Sequence, residues 1–158
     1  MKSSRNILLT FVALALLLAA ACSPQVEASQ GTPPAPTLLP PAADAIAGTQ
    51  WQLVSFGAVG AEVPVVASTS LTLAFDEHGQ ASGQGGCNSF GGQYQADSRT
   101  ISFTALAQTL RACVDDSANQ QEAKYMDALD SAGRYELTGG ELTIFYNGGA
   151  SALHYVKA

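Results

Sequence analysis

The chain has 158 residues, of which 47% are hydrophobic and 13% charged, and its formal net charge at pH 7 is −6. It carries no polybasic patch of the kind that binds nucleic acids or anionic lipid headgroups, so we expect no nucleic-acid partner. Its three cysteines include no Cys-x-x-Cys pair, the spacing typical of zinc and redox motifs.

Residues 1–21 have the order of an export signal, with two basic residues followed by an apolar run. That run is shorter than the ~20 apolar residues of a spanning helix, although a membrane-anchor helix is the alternative. It ends in Leu-Ala-Ala-Ala-Cys22, which resembles the lipobox of bacterial lipoproteins with Ala19 where Leu is usual. The resemblance implies cleavage before Cys22, lipidation of that cysteine, and a membrane-anchored lipoprotein on the extracytoplasmic side of the cell envelope.

Residues 22–47 then form the lipidated start and a linker that holds six of the seven prolines. Proline fixes φ and lacks a donor, so we expect an extended spacer that holds the domain off the membrane; an ordered arm is the alternative. Residues 48–158 form a single domain. Without Lys2 and Arg5, five of the seven basic residues remain against thirteen acidic ones, which leaves a formal charge of −8.

Apolar alternation and turn residues predict a series of short strands in this domain. They span residues 49–56, 70–75, 80–85, 93–96, 100–104, 134–138 and 141–146, with a last strand around Leu153 and Tyr155. Trp51 is the expected core residue of the first strand, whose alternation breaks near Val54 and so predicts a bulge or a strand end there. The third strand is built from small residues, which lets something bulky lie across it.

Turn-forming and helix-capping residues predict the connections between the strands. Residues 57–68 are predicted as a loop. Residues 105–114 fit either a helical spacing or an extended run along a sheet edge, and the family resemblance described below favours the extended one. A helix over residues 117–131 is expected to begin with a capping box at Ser117 and to end at Gly133. The dipeptides Gly139-Gly140 and Asn147-Gly148 predict two-residue hairpin loops.

Strands joined by such short turns are antiparallel, and a long meander curls to remove its exposed edges. The predicted fold is therefore mainly β: a small antiparallel barrel of about eight strands, closed or incomplete, with one α-helix packed across it. Leu137, Leu142, Ile144 and Tyr146 are expected to point into it.

One stretch, residues 83–94, has five glycines around Gly-Cys87-Asn, and a second, residues 108–113, ends in Thr109-Leu-Arg-Ala-Cys113. Together they resemble the META domain of HslJ-like, heat-inducible bacterial lipoproteins, over residues 48–157. The resemblance implies structural motif positions here, namely Gly85, Gly86, Asn88, Gly92, Tyr94 and Thr109. Asn88 is expected to tolerate a left-handed backbone and to bond neighbouring backbone in the turn, which makes the corner structural. The alternative is that the corner rims a ligand groove. In the family pattern the arginine directly follows the threonine, whereas here Leu110 stands between Thr109 and Arg111. The family role of this arginine therefore does not carry over directly, and an ion pair with Asp115 is the alternative.

The resemblance also places a cysteine at both motif positions, which implies a disulfide between Cys87 and Cys113. With Cys22 assigned to lipid, these two are the remaining cysteines of an exported domain, where disulfides persist. Two buried free thiols are the alternative.

No catalytic set is recognisable in the sequence. His78 lies in a turn, and His154 is expected to be exposed, so neither can be joined to a nucleophile. The acidic residues near the helix are explained as a solvated face, and a strand after the glycines excludes a phosphate loop. We therefore expect no enzyme activity, no metal and no cofactor.

Two functions stay open. The first is a monomeric envelope lipoprotein of the HslJ type, linked to stress tolerance, that binds a protein or a hydrophobic ligand. The second is a pilotin-like or chaperone-like module that captures a segment of another envelope protein by strand addition. An apolar cavity lined by Leu73, Phe75, Phe103, Leu142 and Ile144 would favour ligand binding, whereas a filled interior would favour surface or edge recognition.

Overall fold

The strands lie close to the positions that alternation and turn residues predict. The computed structural model describes residues 45–111 and 113–158, so the predicted export signal, Cys22 and most of the linker lie outside the described residues. The strands are β1 Gln50–Ala58, β2 Val63–Pro64, β3 Thr72–Phe75, β4 Gln80–Gln84, β5 Ser89–Ala96, β6 Ile101–Gln108, β7 Ala132–Thr138, β8 Glu141–Tyr146 and β9 Ser151–Lys157. Within these described residues there is one α-helix, α1 Asp116–Asp130, which lies between β6 and β7.

Eight strands form one antiparallel sheet in the order β6-β5-β4-β3-β1-β9-β8-β7, and β2 pairs with β1. The two end strands approach each other through one bridge, Thr100 to Arg134, and the Tyr135 N–H donates to the Arg99 carbonyl at 2.9 Å. The sheet is thus a curled half-barrel with α1 packed across it, which confirms the predicted fold class.

The interior of the half-barrel is filled by side chains. The five residues that would have lined a cavity are between 0% and 5% exposed: Leu73, Phe75, Phe103, Leu142 and Ile144. Phe75 packs edge-on against Tyr94, with ring centroids 4.7 Å apart. Trp51 is 2% exposed, as predicted, and its indole N–H donates to the Thr49 hydroxyl at 2.7 Å. The register shift between Leu53 and Ser55 confirms the predicted bulge.

Several element boundaries differ from the prediction. The expected loop over residues 57–68 contains β2, which pairs Phe56 with Val63. Strand β5 begins at Ser89, four residues early, because the Gly-Cys-Asn corner needs only residues 85–88. Strand β6 continues to Gln108, so the extended conformation predicted beyond residue 104 is confirmed that far.

The helix caps were predicted wrongly. Asp115, rather than Ser117, is the N-cap, and its carboxylate accepts a hydrogen bond from the Ser117 N–H at 2.8 Å. Ser131 is the C-cap, and Gly133 is already part of β7. The β7–β8 register shifts between Ala132 and Arg134, so Gly133 lies at an irregularity of the strand rather than at the end of the helix.

One of the two expected two-residue hairpin loops is present. Gly139 and Gly140, with φ of 62° and 86°, join Thr138 to its partner Glu141. The other connection is a four-residue one, since Tyr146 pairs with Ser151, and residues 147–149 form a short 3-10 turn. Asn147 and Gly148 do take the positive φ expected of them, 51° and 67°.

Two residues predicted to point inward lie on the inner face but are less buried than expected, since Leu137 is paired with buried Leu142 and Tyr146 packs against the core. Leu137 is 39% exposed on the outer strand β7, and Tyr146 is only half-buried beside the 3-10 turn. Both lie near strand ends, where the curled sheet no longer covers its inner face. Within residues 45–111 and 113–158, no helix has both the length and the apolar character needed to cross a membrane.

Candidate functional site

The Gly-Cys-Asn corner joins β4 to β5 and is shaped by two glycines. The Gly85 N–H donates to the Asn88 carbonyl at 2.7 Å, which closes the corner. A Cβ on Gly85 would lie 2.6 Å from Glu122 Oε1, so a larger residue here would displace the Glu122 carboxylate. Gly86 has a φ of 124°, a backbone conformation that other residues rarely adopt.

Asn88 is 4% exposed and uses the full hydrogen-bonding capacity of its amide. Its Nδ2 donates to Glu122 Oε2 at 2.7 Å and to the Arg111 carbonyl at 2.9 Å. Its Oδ1 accepts from the Thr109 hydroxyl at 2.8 Å and from the Arg111 N–H at 2.7 Å. Asn88 does not take a left-handed backbone, and its side-chain partners are distant in sequence, although its carbonyl accepts the Gly85 N–H within the turn.

Glu122 supplies the helix side of this arrangement and is also 4% exposed. Its Oε1 accepts the Asn88 N–H at 2.8 Å, in addition to the Oε2 contact. Two further helix side chains hold neighbouring loops: Gln121 bonds Val66 and Thr69, each at 2.7 Å, and Asn119 bonds both backbone groups of Cys113. Polar contacts therefore fix the helix to the open side of the half-barrel.

The predicted disulfide between Cys87 and Cys113 is present, with the two Cα atoms 5.6 Å apart. It ties the Gly-Cys-Asn corner to the segment that precedes α1. Arg111 does not pair with Asp115, since among the described residues its guanidinium donates to the Cys87 carbonyl, at 3.1 Å. The Asp115 carboxylate is occupied as the helix N-cap, and its hydrogen bonds with Ser117 lower its pKa.

The other two motif positions lie farther along β5. Gly92 stands opposite a bulge, where β6 takes an extra residue and Ala105 has a φ of 53°. A Cβ on Gly92 would lie 2.9 Å from both Leu106 Cδ2 and the Thr104 carbonyl oxygen. Tyr94 is buried, and its hydroxyl donates to the Asp76 carbonyl at 2.9 Å. These two residues shape the sheet, whereas Gly85, Asn88 and Thr109 belong to the corner.

A shallow groove of about 340 Å³ runs beside the corner. Its lining includes Asn88, Leu110, Arg111 and Glu122, and Leu110 is 93% exposed. Val114, on the other side of the disulfide, is fully exposed. The disulfide-bonded segment thus presents two apolar side chains to solvent.

Two tyrosines are buried where the helix meets the sheet. Tyr155 donates to the Tyr125 hydroxyl at 3.2 Å, and Tyr125 donates to the Thr72 carbonyl at 3.2 Å. Burial raises the pKa of both hydroxyls well above the ordinary value. Both therefore stay neutral near pH 7 and act as hydrogen-bonding core residues.

The histidines lie apart from the corner. His78 is in the turn after Asp76, as predicted. His154 is part-exposed rather than fully exposed: its ring contacts the Thr143 hydroxyl and Glu62 Oε1, each at 3.2 Å. Among the described residues, the one cluster of His, Cys, Asp or Glu close enough to share a metal ion is Cys87, Cys113 and Glu122, and the disulfide joins its two sulfurs.

Sequence reasoning did not assign a role to Glu122 or Gln121. The available signal was a charged residue on the otherwise apolar face of the predicted helix, where Glu122 falls in line with Ala118 and Tyr125. A carboxylate at such a position needs a partner, and the partner is Asn88, 34 residues earlier in the chain.

The domain is therefore an antiparallel half-barrel whose helix is held in place by a disulfide and by the Asn88–Glu122 contact. The family model of the META domain matches residues 44–158, and the chain belongs to this family. No curated protein matches it significantly.

Solved structures share the fold. A protein from Burkholderia xenovorans, solved by NMR, is 23% identical with a TM-score of 0.61, over 81% of this chain and 97% of that one. A DUF4847 family protein from Bacteroides vulgatus is 17% identical with a TM-score of 0.51, over 72% of this chain and 94% of that one. At these sequence identities the likeness shows a shared fold alone.

Proposed function

We propose that this META domain protein is a non-enzymatic lipoprotein, anchored in the cell envelope through Cys22 and linked to stress tolerance, that binds a segment of another envelope protein on its outer surface. The observation that carries the proposal is the filled interior. Because Leu73, Phe103 and Ile144 are at most 5% exposed, the half-barrel has no internal room for a hydrophobic ligand. Recognition then falls to the outside of the domain.

The outer edge of β7 suits strand addition. The Tyr135 N–H points away from β8, to Arg99, and backbone groups two residues apart point to the same side. The N–H and C=O of Leu137 therefore also face outward, and no described residue bonds to them. An open groove of about 500 Å³ runs along this edge beside Arg99, and Leu137 lies in it.

This edge matches the chemistry of an extended polypeptide. Main-chain hydrogen bonds to Leu137 would supply affinity, and its 39% exposed side chain would contact an apolar residue of the added strand. Arg134 and Glu136 pair with each other, and Arg134 lies 3.6 Å from the Phe145 ring centroid, so the rim of the edge is already ordered.

A backbone-specific substitution tests this proposal. Leu137→Pro removes an outward N–H, which an edge strand tolerates, whereas Leu137→Thr keeps it. A photo-crosslinker at Thr138 of the full-length chain, in its native envelope, is expected to trap a partner in the wild type and in Leu137→Thr, and to lose it in Leu137→Pro. The fluorescence of Trp51 checks that each variant is folded. Equal crosslinking in Leu137→Pro, or equal yield from a crosslinker at exposed Val59, would contradict edge recognition.

The anchor is tested separately. Cys22→Ser is expected to leave an uncleaved or released form that no longer fractionates with membranes as the mature protein does. Unchanged fractionation and migration of the variant would refute the lipid anchor and leave the β7 edge proposal standing.

A further inference from the structure

The buried carboxylate of Glu122 has no cationic partner among the described residues. The ion pairs found in these ranges are Arg134 with Glu136 and His154 with Glu62. Both Glu122 oxygens accept hydrogen bonds from Asn88, at 2.8 and 2.7 Å. Buried charges in proteins are ordinarily paired with an opposite charge or coordinate a metal.

Two sulfur atoms lie next to this carboxylate. The Sγ atoms of Cys87 and Cys113 and an oxygen of Glu122 all lie within 4.8 Å of one another. The backbone separation of 5.6 Å between the two cysteine Cα atoms is short enough for both thiolates to reach one ion, whose bonds to sulfur are about 2.3 Å.

We propose that the Cys87–Cys113 pair has a second, reduced state in which both thiolates and Glu122 bind a thiophilic divalent cation such as Zn²⁺. A dithiol reductant transfers two electrons and two protons to the disulfide, which becomes two thiols as the reductant closes to its own disulfide. Metal binding then releases the two thiol protons and forms two metal–sulfur bonds and one metal–oxygen bond. Water completes the tetrahedral set.

The surroundings fit such a site. Each Glu122 oxygen uses one lone-pair direction for Asn88 and keeps another for the ion, so Asn88 orients the ligand, as residues behind metal ligands commonly do. Two thiolates and one carboxylate carry three negative charges against the two positive charges of the ion. Arg111, whose guanidinium donates to the Cys87 carbonyl, is the neighbouring cation for the remaining charge. The 340 Å³ groove that includes Glu122 gives the ion a path from solvent.

The test compares one protein in two redox states. The domain is reduced with a phosphine, freed of reductant without air, and titrated with Zn²⁺ against a chromophoric chelator. The expected result is one tightly bound Zn²⁺ per reduced chain and none per oxidised chain. Co²⁺ in place of Zn²⁺ is expected to give thiolate-to-metal charge-transfer absorption only in the reduced protein.

The role of the carboxylate is tested with Glu122→Gln against Glu141→Gln, an exposed carboxylate on β8. Glu122→Gln should weaken Zn²⁺ binding by more than about tenfold, the loss seen even when an outer-sphere partner is removed. Glu141→Gln should bind like wild type. The proposal is overturned if the reduced chain binds no Zn²⁺, if the oxidised chain binds it equally well, or if Glu122→Gln keeps full affinity. Full affinity in Glu122→Gln is also the result expected if an unfolded dithiol binds Zn²⁺ adventitiously.

Discussion

Asn88→Ala removes four hydrogen bonds and is the substitution that most directly perturbs the contact between helix and sheet. The bond to the Glu122 carboxylate, at 2.7 Å, is of the charged class, which contributes roughly 1.5–3 kcal/mol. The bonds to Thr109 and Arg111 contribute less, about 0.5 kcal/mol each, because these exposed residues regain water. With three bonds of this second kind, we expect a loss of about 3–4.5 kcal/mol in the free energy of unfolding.

The assay is urea unfolding followed by the fluorescence of Trp51, the single tryptophan, which is 2% exposed. Gln95→Ala, at an exposed position of β5, is the matched control and should stay within about 0.5 kcal/mol of wild type. A loss below about 1 kcal/mol for Asn88→Ala would refute the reasoning, because Glu122 Oε2, left without its Asn88 donor, would then carry no penalty.

Asn88→Asp sharpens the same prediction. The new carboxylate replaces a donor that lies 2.7 Å from Glu122 Oε2, so two negative charges would meet in a buried place. Like charges this close favour protonation of one of them, which means that the destabilisation should be largest near neutral pH and shrink as the pH falls. A destabilisation of Asn88→Asp that is constant with pH would show that the carboxylates do not face each other.

Three further predictions concern the core, the disulfide and the pH dependence. Trp51→Ala should lower the free energy of unfolding by roughly 3–5 kcal/mol; a loss below about 1 kcal/mol would contradict the core position. Intact mass before and after alkylation of the denatured, unreduced domain should show no free thiol at Cys87 or Cys113, and reduction should cost roughly 3.5 kcal/mol; two alkylated thiols would contradict the disulfide. Hydrogen bonds from the Glu62 and Gly60 backbone, together with His154, lower the pKa of Glu62, so its contribution is present above its ordinary pKa and is lost as the pH falls through the lowered value. Glu62→Gln should flatten this acid limb in thermal unfolding, and a limb identical to wild type would refute the assignment.

The predicted strands and their inward residues follow from period-two alternation, which is a local signal, and most of the fold follows from it. Leu73, Phe75 and Ile144 were placed correctly because their strands are central and one face of each is fully covered. Leu137 lies on the predicted face, opposite Leu142, but is 39% exposed, because alternation cannot show where a curled sheet stops covering its own edge.

The candidate site was only half predictable. Glycines and cysteines at the corner are recognisable in the sequence because backbone shape and cross-linking restrict those positions strongly. The partnership of Asn88 with Glu122 is not, since it joins residues 34 apart and depends on how the helix crosses the sheet. The N-cap at Asp115 was missed for a related reason: three adjacent residues can each cap a helix, and tertiary contacts such as that between Cys113 and Asn119 select among them.

Hydrogen exchange tests most directly the claim that this domain acts through its outer edge rather than through its interior. Amide exchange is compared between the purified domain and the anchored protein in native envelopes. The account predicts slower exchange in the envelope at residues 136–138 of β7, with exchange in β3 and β4 unchanged. Unchanged exchange at residues 136–138, together with slower exchange in β3 and β4, would contradict the account.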